Sequence, residues 1–199
     1  PVEGDVLYKS GFMPELTDFR GTRVDRRWDY LQCFLDEAAA RNLRVTVSTT
    51  IFPVGLVASR QGPAYRDPAF DGRTCTVYRP EGLSDIRDDR SAEIAFLNPA
   101  MPENQEWALR FVRELLTRYR FDAYALDYCR YPGAGADFSE FSRRDFEAFL
   151  GHAVERFPED IFTYDKDGNR VPGKYYKPWW EYRAKVIRSF IARVREEID

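Results

Sequence analysis

The sequence predicts a parallel α/β fold, a (β/α) barrel of the TIM type present as three or four parallel strands with crossover helices. Strand-like segments alternate with amphipathic helical patterns, as in parallel sheets. The strand-like segments also end in polar residues, which suits ligand binding beyond the carboxyl ends of parallel strands. A complete barrel has eight strands and about 250 residues. The 199 residues therefore predict a single barrel domain (1–199) or a fragment of one.

The first 52 residues contain two predicted strands and a helix. Residues 5–10 form a short apolar segment between two glycines, which favours a strand. Apolar side chains recur at steps of three and four from Val24 to Ala38, which predicts a helix ending near Asn42. The β-branched segment 43–52 follows directly and predicts a buried strand.

The middle of the chain has much weaker periodicity. Residues 53–90 are rich in glycine, proline, arginine and aspartate, and a connection of this length predicts a long active-site loop. Residues 94–97 have the character of a short extended piece that ends at Asn98. This piece is a candidate fourth strand of the parallel sheet.

Three helices and one further strand are predicted after residue 100. A helix begins near Pro102 and places Trp107, Phe111, Leu115 and Tyr119 on one face. Residues 121–128 predict a buried strand. The two remaining helical patterns are an apolar stripe from Phe146 to Phe157 and a segment that begins near Pro178. Residues 165–169 predict a hairpin-like turn.

Composition excludes several classes of function. The net charge is −3 with no strongly basic segment, so we expect no nucleic-acid partner. No apolar segment approaches the roughly 20 residues of a membrane span. The three cysteines are widely separated and there is one histidine, so we expect neither a zinc site nor a histidine-rich metal site. The aromatic content of 16% slightly favours a groove for flat ligands or sugar rings.

Asp127 is the strongest candidate for chemistry. Its strand places Ala123, Ala125 and Asp127 on one side, so a carboxylate follows two small residues at the strand end. Arg130 lies three residues later and is expected to favour the ionised form. An ionised carboxylate can attack an anomeric carbon or stabilise positive charge there. Spacing alone also fits a carboxylate that caps the loop or pairs with Arg130 for rigidity.

A glycosidase mechanism of this kind needs a second carboxylate about 5–10 Å from the first. Glu93, Asp137 and Glu140 lie near the right elements, although each also fits a loop charge or a helix cap. His152 is predicted to lie on a helix away from the strand ends, which argues against a Ser-His-Asp triad.

Other side chains are candidates for binding a ligand. Asn98 fits either a sugar hydrogen bond or a turn before proline. Tyr128 and Tyr131 fit either stacking on a sugar or holding the loop. Trp179 and Trp180 are adjacent on a predicted helix and cannot both face the core, so we expect one to be exposed.

The stretch 119–132 contains Asp127-Tyr128-Cys129-Arg130-Tyr131-Pro132 and resembles the family 10-like glycosyl hydrolases. This bacterial group is typified by a glycosidase that digests peptide-free peptidoglycan strands. Three further stretches match the family order, namely residues 5–10 with Pro14, residues 97–100, and Trp180 with Tyr182-Arg183. The sequence departs from the family pattern at Ala123, in place of a glycine, and at residues 38–42 and 48–50, which lack its histidine and tryptophan.

This resemblance implies a TIM-barrel glycosidase that acts on a bacterial or dietary glycan in an extracytoplasmic compartment, with no cofactor or metal. It implies that Asp127 is the nucleophile or charge stabiliser. The residues implied to bind an oligo- or polysaccharide are Tyr8, Asn98, Tyr128, Arg130, Tyr131 and Arg183. The alternative is a non-catalytic carbohydrate-binding barrel domain of a cell-envelope protein. In either case the remainder of a larger chain is a possible partner.

Overall fold

The computed structural model of the chain describes residues 4–19 and 21–198. Its helices are α1 Tyr30–Ala40, α2 Pro63–Arg66, α3 Pro102–Arg118, α4 Glu140–Leu150 and α5 Tyr176–Ile198. Its first five strands are β1 Asp18–Phe19, β2 Thr22–Arg23, β3 Thr46–Thr50, β4 Pro53–Leu56 and β5 Thr76–Arg79. The other five are β6 Gly82–Asp85, β7 Ile94–Phe96, β8 Ala123–Asp127, β9 Phe162–Tyr164 and β10 Arg170–Pro172.

One pair of strands in the described residues is parallel. β3 pairs with β8 in a register that places Thr50 opposite Asp127, and α3 precedes β8 as its crossover helix. The other strand pairs in the described residues are antiparallel, and these strands do not close into a barrel. The structure therefore confirms a mixed α/β fold with a parallel pair, the coarser part of the fold prediction.

Two predicted strands are corrected by the structure. In residues 5–10, only Val6 makes an isolated β-bridge, with Glu15, so this segment is not a strand. Residues 94–97 contain β7, which pairs antiparallel with β4 and so is not a fourth parallel strand. β8 is also less buried than predicted, because Ala123 and Asp127 are exposed at its two ends.

The segment 53–90 is more regular than its composition predicts. It contains β4, α2, the hairpin of β5 and β6, and two short 3₁₀ turns, Pro68–Phe70 and Ile86–Asp88. The turns are capped by aspartates, which accept hydrogen bonds from backbone amides two residues later. The prediction of a loop was wrong here because such short elements have no long periodic pattern.

The four longer helices, α1, α3, α4 and α5, match the prediction except at their ends. α1 begins later than predicted because the side chain of Asp29 caps it by accepting from the amide of Gln32, which leaves Trp28 outside and exposed. α4 ends at Leu150, because Gly151 follows in the left-handed conformation. Phe157 therefore lies beyond the helix. The turn at residues 165–169 joins β9 to β10, as predicted.

Two apolar clusters hold these elements together. The larger packs β3, β4, β7 and α3 against the C-terminal half of α5. The smaller contains Phe138, Phe146, Phe162 and Trp179 and joins α4 and the β9–β10 hairpin to the first half of α5. The segment 130–136 connects β8 to this second cluster, and the sites described below form around it. No helix within the described residues is long and apolar enough to cross a membrane.

Candidate functional site

The carboxyl end of β8 places the Asp127 carboxylate at the surface. One oxygen, Oδ1, accepts a hydrogen bond of 2.8 Å from the backbone amide of Tyr128. Tyr128 has a φ of 46°, a left-handed conformation that is costly for a bulky residue. Such conformations occur often at functional sites, so this turn is where a site is expected.

A cavity of about 550 Å³ opens beside this turn, and we call it the strand-end cavity. Its aromatic lining comes from Phe96, Tyr128 and Tyr164. The ring of Tyr128 packs against that of Phe96, with 5.7 Å between the centroids. Asp127 itself does not line the cavity and lies one residue away in sequence.

The charged lining of the strand-end cavity is mainly basic. Arg79, Arg130 and Arg170 line it, and Glu93 is the sole carboxylate among the described residues that do so. Arg79 is neutralised by an ion pair of 2.8 Å with Asp89. The other two guanidinium groups therefore leave the cavity with an excess of positive charge.

Arg130 does not form the expected ion pair with Asp127. Its Nη1 donates to the backbone carbonyls of Tyr131 and Pro132, at 3.2 and 3.3 Å. Its guanidinium carbon lies 4.8 Å from the centroid of the Tyr128 ring, in a cation–π contact. Arg130 thus holds the turn and lines the cavity.

Asn98 is completely buried, so its position favours the structural alternative over a direct contact with substrate. Its Nδ2 donates to the carboxylate of Asp137 and to the hydroxyl of Ser142, at 2.7 and 3.0 Å. Its Oδ1 accepts from the amide of Ala100 at 2.9 Å. The amide side chain is fully occupied, so it holds the turn after β7 against the start of α4.

Asp137 and Glu140 are also not placed to be the second carboxylate. Asp137 is completely buried, and burial raises the pKa of its carboxyl, an effect partly offset by hydrogen bonds from the side chains of Ser139 and Ser142. Glu140 lies on the exposed face of α4 and pairs with Arg144 at 3.0 Å. Glu93 is the member of the predicted trio that lines a cavity.

Tyr8 lies in the larger apolar cluster and does not line the strand-end cavity. Its ring meets that of Tyr119 edge-on, with centroids 5.8 Å apart, and burial raises the pKa of its hydroxyl. The loop that follows is tied to α3, because the hydroxyl of Ser10 donates to Glu114 at 2.5 Å. Direct substrate contact by Tyr8 is therefore not supported by its position.

A second cavity, of about 590 Å³, lies between the segment 130–134 and α5, and we call it the helix cavity. Tyr131, Trp180 and Arg183 line it, and Arg130 lines both cavities. Trp180 is 38% exposed whereas Trp179 is buried, which confirms that one of the two tryptophans is outside the core. The predicted ligand-binding residues are thus divided between two cavities and the core.

Some residues at these cavities carried no signal in the sequence. Arg79, Tyr164 and Arg170 come from the β5–β6 and β9–β10 hairpins, which the sequence pattern did not place near β8.

His152 is exposed beyond the end of α4, and its Nδ1 lies 3.0 Å from the carbonyl of Ala153. Throughout residues 4–19 and 21–198, no cluster of three or more histidine, cysteine, aspartate or glutamate side chains could hold a metal ion.

The fold and site define an α/β protein with an exposed carboxylate at the end of a parallel strand, beside an aromatic and basic cavity. Comparison with known families identifies the group, because the model of the family described as "Glycosyl hydrolase-like 10" matches residues 2–199. The chain belongs to this family. It is also 35% identical, over 214 aligned positions, to an S-layer-related protein of Niallia circulans. The alignment covers all of this chain and 13% of that relative's length.

Proposed function

We propose that this chain is part of a glycoside hydrolase domain of the (β/α) barrel type that acts on an oligo- or polysaccharide. The observation that carries the proposal is the exposed Asp127 carboxylate at the carboxyl end of β8, next to the strained Tyr128. The family match supports the class of reaction. The name of the S-layer-related relative supports an extracytoplasmic location at a bacterial cell envelope.

In this proposal, Asp127 acts as nucleophile or charge stabiliser at the anomeric carbon of the substrate. The residue is exposed, and the hydrogen bond from the Tyr128 amide holds the orientation of the carboxylate. Departure of the leaving sugar needs a proton on its oxygen, for which Glu93 is the candidate donor.

The strand-end cavity is the proposed saccharide-binding region. Tyr128 offers an aromatic edge and Arg130 offers N–H donors, so these two residues are the proposed substrate contacts. Arg130 and Tyr131 extend the lining toward the helix cavity. Tyr8 and Asn98 are proposed as supports of the surrounding loops, because both are buried.

The second candidate function is carbohydrate binding without turnover. It is favoured by the charge of the strand-end cavity, where Glu93 is the sole carboxylate in the described lining. A two-carboxylate mechanism needs both groups at a defined separation around one sugar bond. If no carboxylate lies at that separation from Asp127 in the whole protein, the same cavity would retain a glycan without cleaving it.

A glycan panel assayed with the full-length protein tests both candidates. Binding and release of reducing ends are measured on each glycan, for the wild type, Asp127→Asn and Glu93→Gln. The proposal expects turnover that both substitutions abolish and binding that both largely retain. The matched control is Asp36→Asn on the exposed face of α1, which should keep full turnover. Binding without turnover by the wild type would favour the second function, and turnover that survives Asp127→Asn would contradict the assignment of Asp127.

A further inference from the structure

Arg183 carries a buried charge whose hydrogen-bonding groups are only partly satisfied. Its side chain is 4% exposed, and Nη2 donates to the carbonyl of Gly133 at 2.7 Å. Nε and Nη1 have no hydrogen-bond partner in the described part of the chain. A charged group taken out of water is costly unless it is paired and hydrogen-bonded, so this arrangement is incomplete.

Two aromatic rings enclose the guanidinium group without completing its hydrogen bonds. Its carbon lies 4.3 Å from the centroid of the Tyr131 ring and 4.5 Å from that of Trp180. Cation–π contacts stabilise the charge through the ring faces, whereas the N–H groups point outward in the guanidinium plane. The hydroxyl of Tyr131 is also buried and also has no partner among the described residues. Arg183 and the tyrosine that it contacts therefore both carry donors without a partner in the described residues.

The helix cavity lies directly against these two side chains. Apart from the arginines, its lining is almost entirely apolar and includes Ala184, Ile187 and Ile191. An apolar cavity with a few convergent polar groups is the usual form of a small-molecule site. A sugar would leave most of its hydroxyls unpaired there, which distinguishes this cavity from the strand-end cavity.

We propose that the helix cavity binds an organic carboxylate carried on an apolar body about the size of one ring. The carboxylate accepts hydrogen bonds from Arg183 and from the hydroxyl of Tyr131. Its apolar body packs against Ile187 and Ile191. Trp180, which is partly exposed and stacks on the guanidinium, moves aside to admit the anion. Guanidinium–carboxylate bonds are among the strongest hydrogen bonds in proteins, so they would offset the cost of the buried charge.

Benzoate and benzamide are the probes for this site, because they share a ring and differ in charge. Each is titrated into the full-length protein by calorimetry. The proposal expects saturable binding of benzoate and binding of benzamide that is at least about tenfold weaker. A factor of about ten is the lower end of what a hydrogen bond to a charged group contributes to affinity. Equal binding of the two compounds, or binding of neither, would overturn it. This test involves no turnover and is therefore independent of the proposed glycosidase function.

Two variants locate the binding to Arg183. Arg183→Met should abolish the preference for benzoate and should keep the thermal unfolding temperature, because apolar replacement of a poorly paired buried charge is often neutral or stabilising. The matched control is Arg188→Met, which removes an exposed charge lining the same cavity and should retain the preference. If Arg183→Met fails to fold, Tyr131→Phe takes its place. This substitution should weaken the binding of benzoate several-fold relative to the binding of benzamide. Retention of the full preference in the variant tested would contradict the proposal.

Discussion

The Nδ2 of Asn98 donates a hydrogen bond of 2.7 Å to the carboxylate of Asp137, and both side chains are completely buried. The same carboxylate accepts from the amide of Thr76 and from the hydroxyl of Ser142, at 2.5 and 2.7 Å. This network joins the turn after β7, the start of β5 and the first turn of α4. The network therefore holds Asp137 in place, and this residue directly follows the chain segment that lines the strand-end cavity.

Removal of the Asn98 amide should destabilise the protein strongly. Asn98→Ala takes one donor from a buried carboxylate and leaves a cavity, which should lower the free energy of unfolding by about 3 kcal/mol. Chemical denaturation measures the change. Asn169→Ala is the matched control, since Asn169 lies in an exposed turn and donates to Asp165 at 3.2 Å, and it should cost less than about 1 kcal/mol. Equal losses in the two variants would show that the buried network is not important for stability.

The buried Asp137 should make stability depend on pH. Its folded pKa is raised above the ordinary 3.8 by burial, so the folded protein holds the proton more tightly than the unfolded chain does. The resulting stabilisation is fully present below pH 3.8 and is lost as the pH rises through the folded pKa. Relative to Asp137→Asn, the wild type should therefore lose stability as the pH rises, by at most about 1.4 kcal/mol per unit. Denaturation across this range measures the difference, and a difference that grows with pH would contradict the raised pKa.

Long periodic elements could be predicted from the sequence. The stripe of Phe111, Leu115 and Tyr119 defines α3, and all three are buried. The β-branched segment around Val47 gives β3, which lies within the strand predicted for residues 43–52. These predictions succeeded because each pattern repeats often enough to specify one type of element.

The candidate site was only partly predictable, because its parts meet through short elements. The hairpin of β5 and β6 brings Arg79 to the strand-end cavity, yet its four-residue strands carry too few alternations to be recognised. The burial of Asn98 depends on Asp137, 39 residues later, which local sequence cannot reveal. The polarity of Asn98 therefore fits both a ligand contact and a turn, and only the structure shows that the side chain is buried.

In the loop between the two cavities, we expect an alanine substitution to be destabilising at Gly135 and tolerated at Gly133. A Cβ at Gly135 would lie 2.9 Å from the carbonyl oxygen of Tyr78, whereas a Cβ at Gly133 would meet nothing within 4 Å. Gly135→Ala should therefore lower the free energy of unfolding by about 1–3 kcal/mol, the usual cost of overpacking. Gly133→Ala should change it by less than about 0.5 kcal/mol. Thermal or chemical unfolding compares the two, and similar effects would mean that the loop backbone is free to move.

The proposed saccharide contact at Tyr128 can be tested through affinity. Tyr128→Ala removes an aromatic surface of the strand-end cavity and should weaken glycan binding about three- to tenfold, as expected for one aromatic contact. Calorimetry with the glycan that the panel selects gives the dissociation constant. Tyr175→Ala is the control, because Tyr175 is a half-buried tyrosine that lines neither cavity. Unchanged affinity in Tyr128→Ala would remove this residue from the proposed binding region.

The catalytic role of Asp127 is tested most directly by kcat/KM of Asp127→Asn on a glycan that the full-length wild type cleaves. The substitution keeps the size of the side chain and removes its charge, so the dissociation constant for the glycan should change little. We expect kcat/KM to fall at least about a hundredfold, as when a group that stabilises transition-state charge is lost. A value within about threefold of the wild type would contradict the proposal that Asp127 is the catalytic carboxylate.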